Sequence, residues 1–149
     1  MTNFAFLRAE WPAIYEPARR AELAARSDPR AACFYARRCL ELSVDWAFKY
    51  DLALKAPYET NLSALIHDPT FRRAAGNTIF TKAKIIVTLG NRAVHDKHQI
   101  SQHDSMTAIA ELFQVCYWLA HTYSREHKPP ATLKFDPAQV PEMKIIGVE

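Results

Sequence analysis

Residues 27–50 read SDPRAACFYARRCLELSVDWAFKY, and this stretch decides the fold class. Ser27-Asp28 supplies a capping oxygen, and Pro29 falls at the first helical position, where a missing N–H costs nothing. Beyond it Ala32, Ala36, Cys39, Leu40, Ser43, Trp46, Ala47 and Tyr50 recur at helical spacing, with Arg30, Arg37, Arg38, Glu41, Asp45 and Lys49 mostly opposite. The pattern predicts an amphipathic helix from about Asp28 to Tyr50, whose apolar stripe must be covered by other helices.

Upstream, Phe6, Leu7, Trp11, Ile14, Tyr15, Ala18 and Ala21 share one helical face. Pro12 and Pro17 each remove a backbone donor, so a short helix followed by a second segment, or one kinked helix, is expected. Downstream, 51–60 loses the period and leads to a short helix near Asn61–Ile66. Asp68-Pro69 opens another helical turn through Arg73, which Ala75-Gly76-Asn77 breaks. From Thr78 the seam Ile79, Ala83, Ile86, Val87, Gly90 and Val94 describes a second long helix, with Gly90 placed for close approach of a neighbour. Ser101 and Asp104 resemble a capping box opening the last long helix, through about Arg125, with Met106, Ile109, Leu112, Phe113, Cys116, Tyr117, Ala120 and Tyr123 inward. Three long helices with shorter companions make an all-α antiparallel bundle over 1–127. Pro129, Pro130, Pro137 and Pro141 then space out an extended tail or linker over 128–149.

Composition agrees and removes several functions. With only three glycines in 149 residues, hairpin-rich β folds are disfavoured, and no glycine pair has the spacing of a phosphate-wrapping ATPase loop. Glu142-Met143-Lys144 with Asp136 upstream has the residue types of a magnesium-dependent nuclease but no sheet to fix them. Cys33, Cys39 and Cys116 show no CxxC spacing and read as buried thiols rather than disulfides or zinc ligands. His95, Asp96, His98 and His103 lie close together without the helical ligand pair of a metal site, so neither metal nor cofactor is expected. No apolar run approaches a membrane span, and no signal segment opens the chain, so the cytoplasm is the expected location.

A net charge of +3 is too small to identify a nucleic-acid binder by itself. Arg37, Arg38, Arg72, Arg73, Lys82, Lys84 and Arg92 are the candidate phosphate contacts, if the helices gather them. Otherwise they belong to solvated faces interspersed with Glu22, Glu41 and Asp45.

The most distinctive run is Leu89-Gly90-Asn91-Arg92-Ala93-Val94-His95-Asp96, where Asn91 and His95 share a helical face. Together with NFAFLRAEWP, SDPRAACFYARRCLELSVDW and NLSALIHDPTF, it resembles the helical domain that begins type I restriction enzyme R subunits and related DEAD/DEAH helicases. The resemblance covers about residues 3–125. That domain is similar in turn to the HEPN bundles, whose active members are metal-independent ribonucleases built on an Arg-Asn-x-x-x-His motif. Here Asn91 and His95 match, but Gly90 stands in the arginine's place, and phosphate chemistry needs that charge. Arg92 with His98 fits only a looser form of the motif.

The resemblance implies a HEPN-like bundle serving as a non-catalytic interaction or scaffolding domain, without motor or nuclease of its own, within an ATP-dependent restriction or helicase protein. It would dock as a homodimer or to other restriction-complex subunits, with contact to nucleic acid. The alternatives are a HEPN-like ribonuclease using Asn91, Arg92, His95 or His98, and a sequence-independent nucleic-acid-binding module.

Overall fold

The capping residues act where the sequence puts them. In the computed structural model, which describes residues 1–95, 97 and 99–142, the Asp28 carboxylate accepts from the Ala31 N–H and starts α2 (Pro29–Tyr50). Asn61 caps α3 (Leu62–His67) in the same way. Ser101 and Asp104 form the full reciprocal box at the head of α5 (Gln102–Tyr123), with N···O distances of 3.0 and 3.2 Å. A 3₁₀ turn at Ala5–Leu7 precedes α1 (Pro12–Ala24). Pro17 lies inside α1 without ending it, because the carbonyl it orphans belongs to exposed Ala13. No strand occurs among the described residues.

Asp68 accepts from the N–H groups of Thr70 and Phe71 and opens α4 (Pro69–His95). Gly76, at φ 85° and ψ 162°, breaks α4 into two helical pieces where Ala75-Gly76-Asn77 was expected to interrupt it. That conformation belongs to glycine, although a Cβ there would meet nothing within 4 Å. Gly76→Ala is therefore a pure backbone test, expected to cost about 2 kcal/mol in denaturant titration; an unchanged midpoint would show that the kink relaxes freely.

The long helices form a bundle centred on α2, which packs against α1, α4 and α5. Trp11 against Trp46 and Arg20 against Tyr35 set α1 antiparallel to it. Phe48 on Phe71 and Arg30 at Ala93 set α4 antiparallel as well. Cys39 beside Cys116 and Tyr123 bonded to Asp51 place α5 parallel to α2. Because α5 is enclosed on several sides, Ala108, Val115 and Leu119 join Ile109, Leu112, Phe113, Cys116 and Ala120 in being buried, whereas Met106, Tyr117 and Tyr123 of the expected stripe are half-buried.

Other expectations about burial need correction. Tyr50, the last residue of α2, is 56% exposed, and Val94 is 52% exposed because Leu89, Gly90 and Ala93 make the inner face of α4. Glu22 is not on a solvated face but is 2% exposed, its carboxylate accepting from both the backbone N–H and the side-chain amide of Asn3. The Pro-rich segment carries a 3₁₀ turn at Pro137–Gln139, and through Val140 it lies back along the bundle. Asn3 and Asp136 exchange hydrogen bonds of 2.9 and 2.7 Å, Phe135 packs on Phe113, and Val140 is buried. Residues 143–149, including Met143 and Lys144, lie outside the described residues.

All three cysteines are free and buried. Burial, then the charge of Asp104, pushes the Cys33 thiol up to about 11 against the opposing effects of Arg92 and Arg30. Because the thiolate is the reactive form, none of the three should titrate with a thiol reagent at pH 8 until denaturant is added. Rapid labelling of the native chain would contradict this burial.

Candidate nucleic-acid interface

From Pro69 to His95, α4 carries Arg72, Arg73, Lys82, Lys84 and Arg92 and no carboxylate. Beyond the kink, Asn77, Thr81, Lys84, Thr88, Asn91 and His95 follow at steps of four, three, four, three and four residues, and every one is exposed. That spacing draws one polar line along the helix, about 27 Å long at the α-helical rise. Arg92 is exposed beside its far end. Hydroxyls, amides and cations with no interleaved acid are the groups that track a phosphate backbone.

The kink adds a cation that a straight helix would have carried away. Phe80, almost wholly buried, presents its ring to Arg72, whose guanidinium carbon stands 4.0 Å from the centroid, and to Lys84, whose Nζ is 5.3 Å away. His67 meets the same ring edge-on at 5.1 Å. Two cations held over one ring are pre-ordered, so a ligand need not order them again. Beside the stripe, between α4 and the first turns of α5, is a hollow of about 390 Å³ bordered by Thr81, Lys84, Thr88, His103, Asp104 and Thr107. Its one carboxylate, Asp104, is engaged in the capping box.

The remaining candidate cations are occupied or elsewhere. Lys82 pairs with Glu111 at 2.9 Å across the α4–α5 seam, and Arg38 pairs with Glu41 on α2. Arg37 lies on Gly90: a Cβ built there would stand 2.4 Å from the arginine Cβ and 2.7 Å from its Cδ. Its Nε is buried without a hydrogen-bond partner among the described residues. Arg73 is exposed on the short piece before the kink. Thus Arg72, Lys84 and Arg92 gather along α4, whereas Arg37 and Arg38 belong to α2.

A family model for a domain of unknown function, DUF4145, matches residues 19–135, most of the chain. The chain belongs to the DUF4145 family. No curated protein and no solved structure matches it. The DUF4145 match takes in α2, α4 and α5 whole and runs into the folded-back segment as far as Phe135.

At the end of α4 in this DUF4145 domain, Asn91 and His95 are both exposed on the polar line, with no hydrogen bond between them. His98 and Asp96 lie outside the described residues. Arg30, read from sequence as one of the charged residues opposite the apolar stripe of α2, donates to the carbonyls of Ala93 at 2.6 Å and Arg92 at 3.5 Å. A guanidinium at these last carbonyls completes the helix end and complements its dipole. Among the described residues no group of three or more His, Cys, Asp or Glu could hold a metal ion, and no helix is long and apolar enough to cross a membrane.

The sequence did not single out Phe80, Thr81 or Thr88, and it read His103 only as part of a histidine cluster without metal-ligand spacing. The signal for the stripe was the absence of acid over 69–95, which a search for clustered positive charge passes over.

Proposed function

We propose that this DUF4145 domain is a non-catalytic docking module that contacts nucleic acid along α4 through its phosphates. One observation carries the reading: the acid-free, exposed line from Asn77 to His95, which carries Lys84 and is flanked by Arg72 and Arg92. Its setting, following the resemblance, is a type I restriction R subunit-like or helicase protein, in which motor and nuclease lie elsewhere. Docking to a second copy or to other restriction subunits belongs to the same proposal; a strict monomer by light scattering at high concentration would remove the dimer from it.

The binding test is a triple variant, Arg72→Gln, Lys84→Gln and Arg92→Gln, measured against labelled duplex DNA and structured RNA. Loss of three phosphate contacts is expected to weaken binding by at least about tenfold. The control is Arg38→Gln, whose charge is already paired with Glu41. Equal affinity of the triple variant and the parent would reject α4 as the contact face.

A second reading, a HEPN-like ribonuclease, draws support from Arg30 and Arg37, which α2 brings onto the Gly90–Ala93 turn where the motif itself lacks an arginine. The same titration tests it: RNA cleavage that disappears in His95→Ala would make that histidine catalytic. No cleavage by the parent chain would leave docking as the function.

A further inference from the structure

At the opposite end of the bundle, the C-terminal turns of α2 and α5 meet the start of α1, and four aromatic rings meet there in different planes. Trp11 and Trp46 stand 5.5 Å apart at 81°. Trp46 meets Tyr123 at 5.3 Å and 64°, and Tyr50 at 4.9 Å and 40°. Two adjoining hollows of about 310 Å³ each share Glu10, Trp11, Trp46 and Tyr50 as walls. Tyr50 is more than half exposed and Trp46 and Tyr123 partly so, while Trp11 is buried beneath them, so the set opens to solvent on the Tyr50 side.

Edge-to-face packing alone would explain why Trp11 and Trp46 touch. It does not explain the hollows, or the carboxylates that border them. Glu10 is pinned there, accepting from the Ser124 hydroxyl and the Arg125 N–H. These hydrogen bonds hold its carboxyl below the usual range, so it is ionised at neutral pH. Asp45 borders the second hollow. Opposing them, Lys49 and Arg125 are exposed rim residues on long side chains. Lys49 already places its Nζ 5.4 Å from the Tyr50 centroid, so a ring of this set faces an ammonium in the folded chain.

We propose that this aromatic box binds an alkylated ammonium group, the rings receiving its alkyl surface and Glu10 its charge. Rings at steep mutual angles suit a round cation, whereas a planar guanidinium is better matched by parallel faces. The group can arrive as a free quaternary ammonium compound or as a methylated lysine side chain; the chemistry at the box is the same.

The test is NMR titration of the indole N–H resonances with choline and with a trimethyllysine peptide. The neutral control is 3,3-dimethylbutan-1-ol, in which carbon replaces the choline nitrogen. Choline or the peptide should shift the Trp11 and Trp46 signals saturably, and the tighter of the two identifies the source. Tyr50→Ala, at an exposed position, should weaken binding by about fivefold, and Glu10→Gln should weaken it while leaving the hollow intact. The proposal is overturned if neither cation shifts Trp11 and Trp46. Equal shifts by the neutral alcohol, or unchanged affinity in both variants, overturn it as well.

Discussion

Asn3→Ala should lower the stability of the chain by about 3 kcal/mol, which for a domain of this size moves the melting temperature down by about 10 °C. Asn3 lies in a turn ahead of the first helix, outside the long helices of the bundle. Here the Asn3 amide donates 2.8 Å to the buried Glu22 carboxylate and 2.9 Å to the Asp136 carbonyl, while its own carbonyl accepts from the Asp136 N–H at 2.7 Å. Its removal takes a donor from a carboxylate hidden from water and unties the folded-back segment at the same stroke. Combining Asn3→Ala with Glu22→Gln should cost less than the two changes summed, because the second removes the charge that the first strands. A melting temperature within a degree or so of the parent would mean that the N-terminal anchor carries no weight.

Gly90 should be nearly as sensitive, and in the unusual direction. Inside an ordinary helix Gly→Ala gains about 1 kcal/mol. At Gly90 the new Cβ would stand 2.4 Å from the Cβ of Arg37, an atom fixed to the α2 backbone that cannot swing aside. The two helices must separate, so Gly90→Ala should destabilise by about 1 kcal/mol net and Gly90→Leu by about 3 kcal/mol. Arg37→Gly in the same chain should recover part of the loss. A stabilising Gly90→Ala in chemical denaturation would show that the helices are not in contact there. The same contact gives a physical reason for the departure from the Arg-Asn-x-x-x-His pattern, since an arginine at position 90 would occupy the space taken by the Arg37 stem.

Much of the fold was legible because it is local. Asp28-Pro29, Asp68-Pro69 and the Ser101/Asp104 box mark helix starts through hydrogen bonds no more than three residues long, and the structure forms each of them. Gly76 was legible as a break for the same reason. What sequence reasoning missed depends on residues far apart in the chain. Glu22 reads as a surface acid until Asn3 is brought to it, and Asp136 joins that cluster from 133 residues away. Tyr50 and Val94 obey the helical period but lie where no neighbour covers them.

The candidate interface divides the same way. Arg72, Lys84 and Arg92 could be named as cations from the sequence, yet their grouping depends on the Gly76 kink and on the ring of Phe80. Lys82, two residues from Lys84, faces the α4–α5 seam and is taken by Glu111. Whether a lysine is available to phosphate thus turns on about 200° of helical rotation, which spacing gives, and on what stands across the seam, which spacing does not.

The most direct measurement is the salt dependence of nucleic-acid binding by the parent chain and by the Arg72→Gln, Lys84→Gln, Arg92→Gln variant. If the three α4 cations each neutralise one phosphate, raising salt from about 50 to about 200 mM should weaken duplex binding by the parent about fortyfold, and the triple variant should lose nearly all of that dependence. Affinity that ignores salt, or a variant that keeps the full slope, would contradict the assignment of α4 as a phosphate-contacting face.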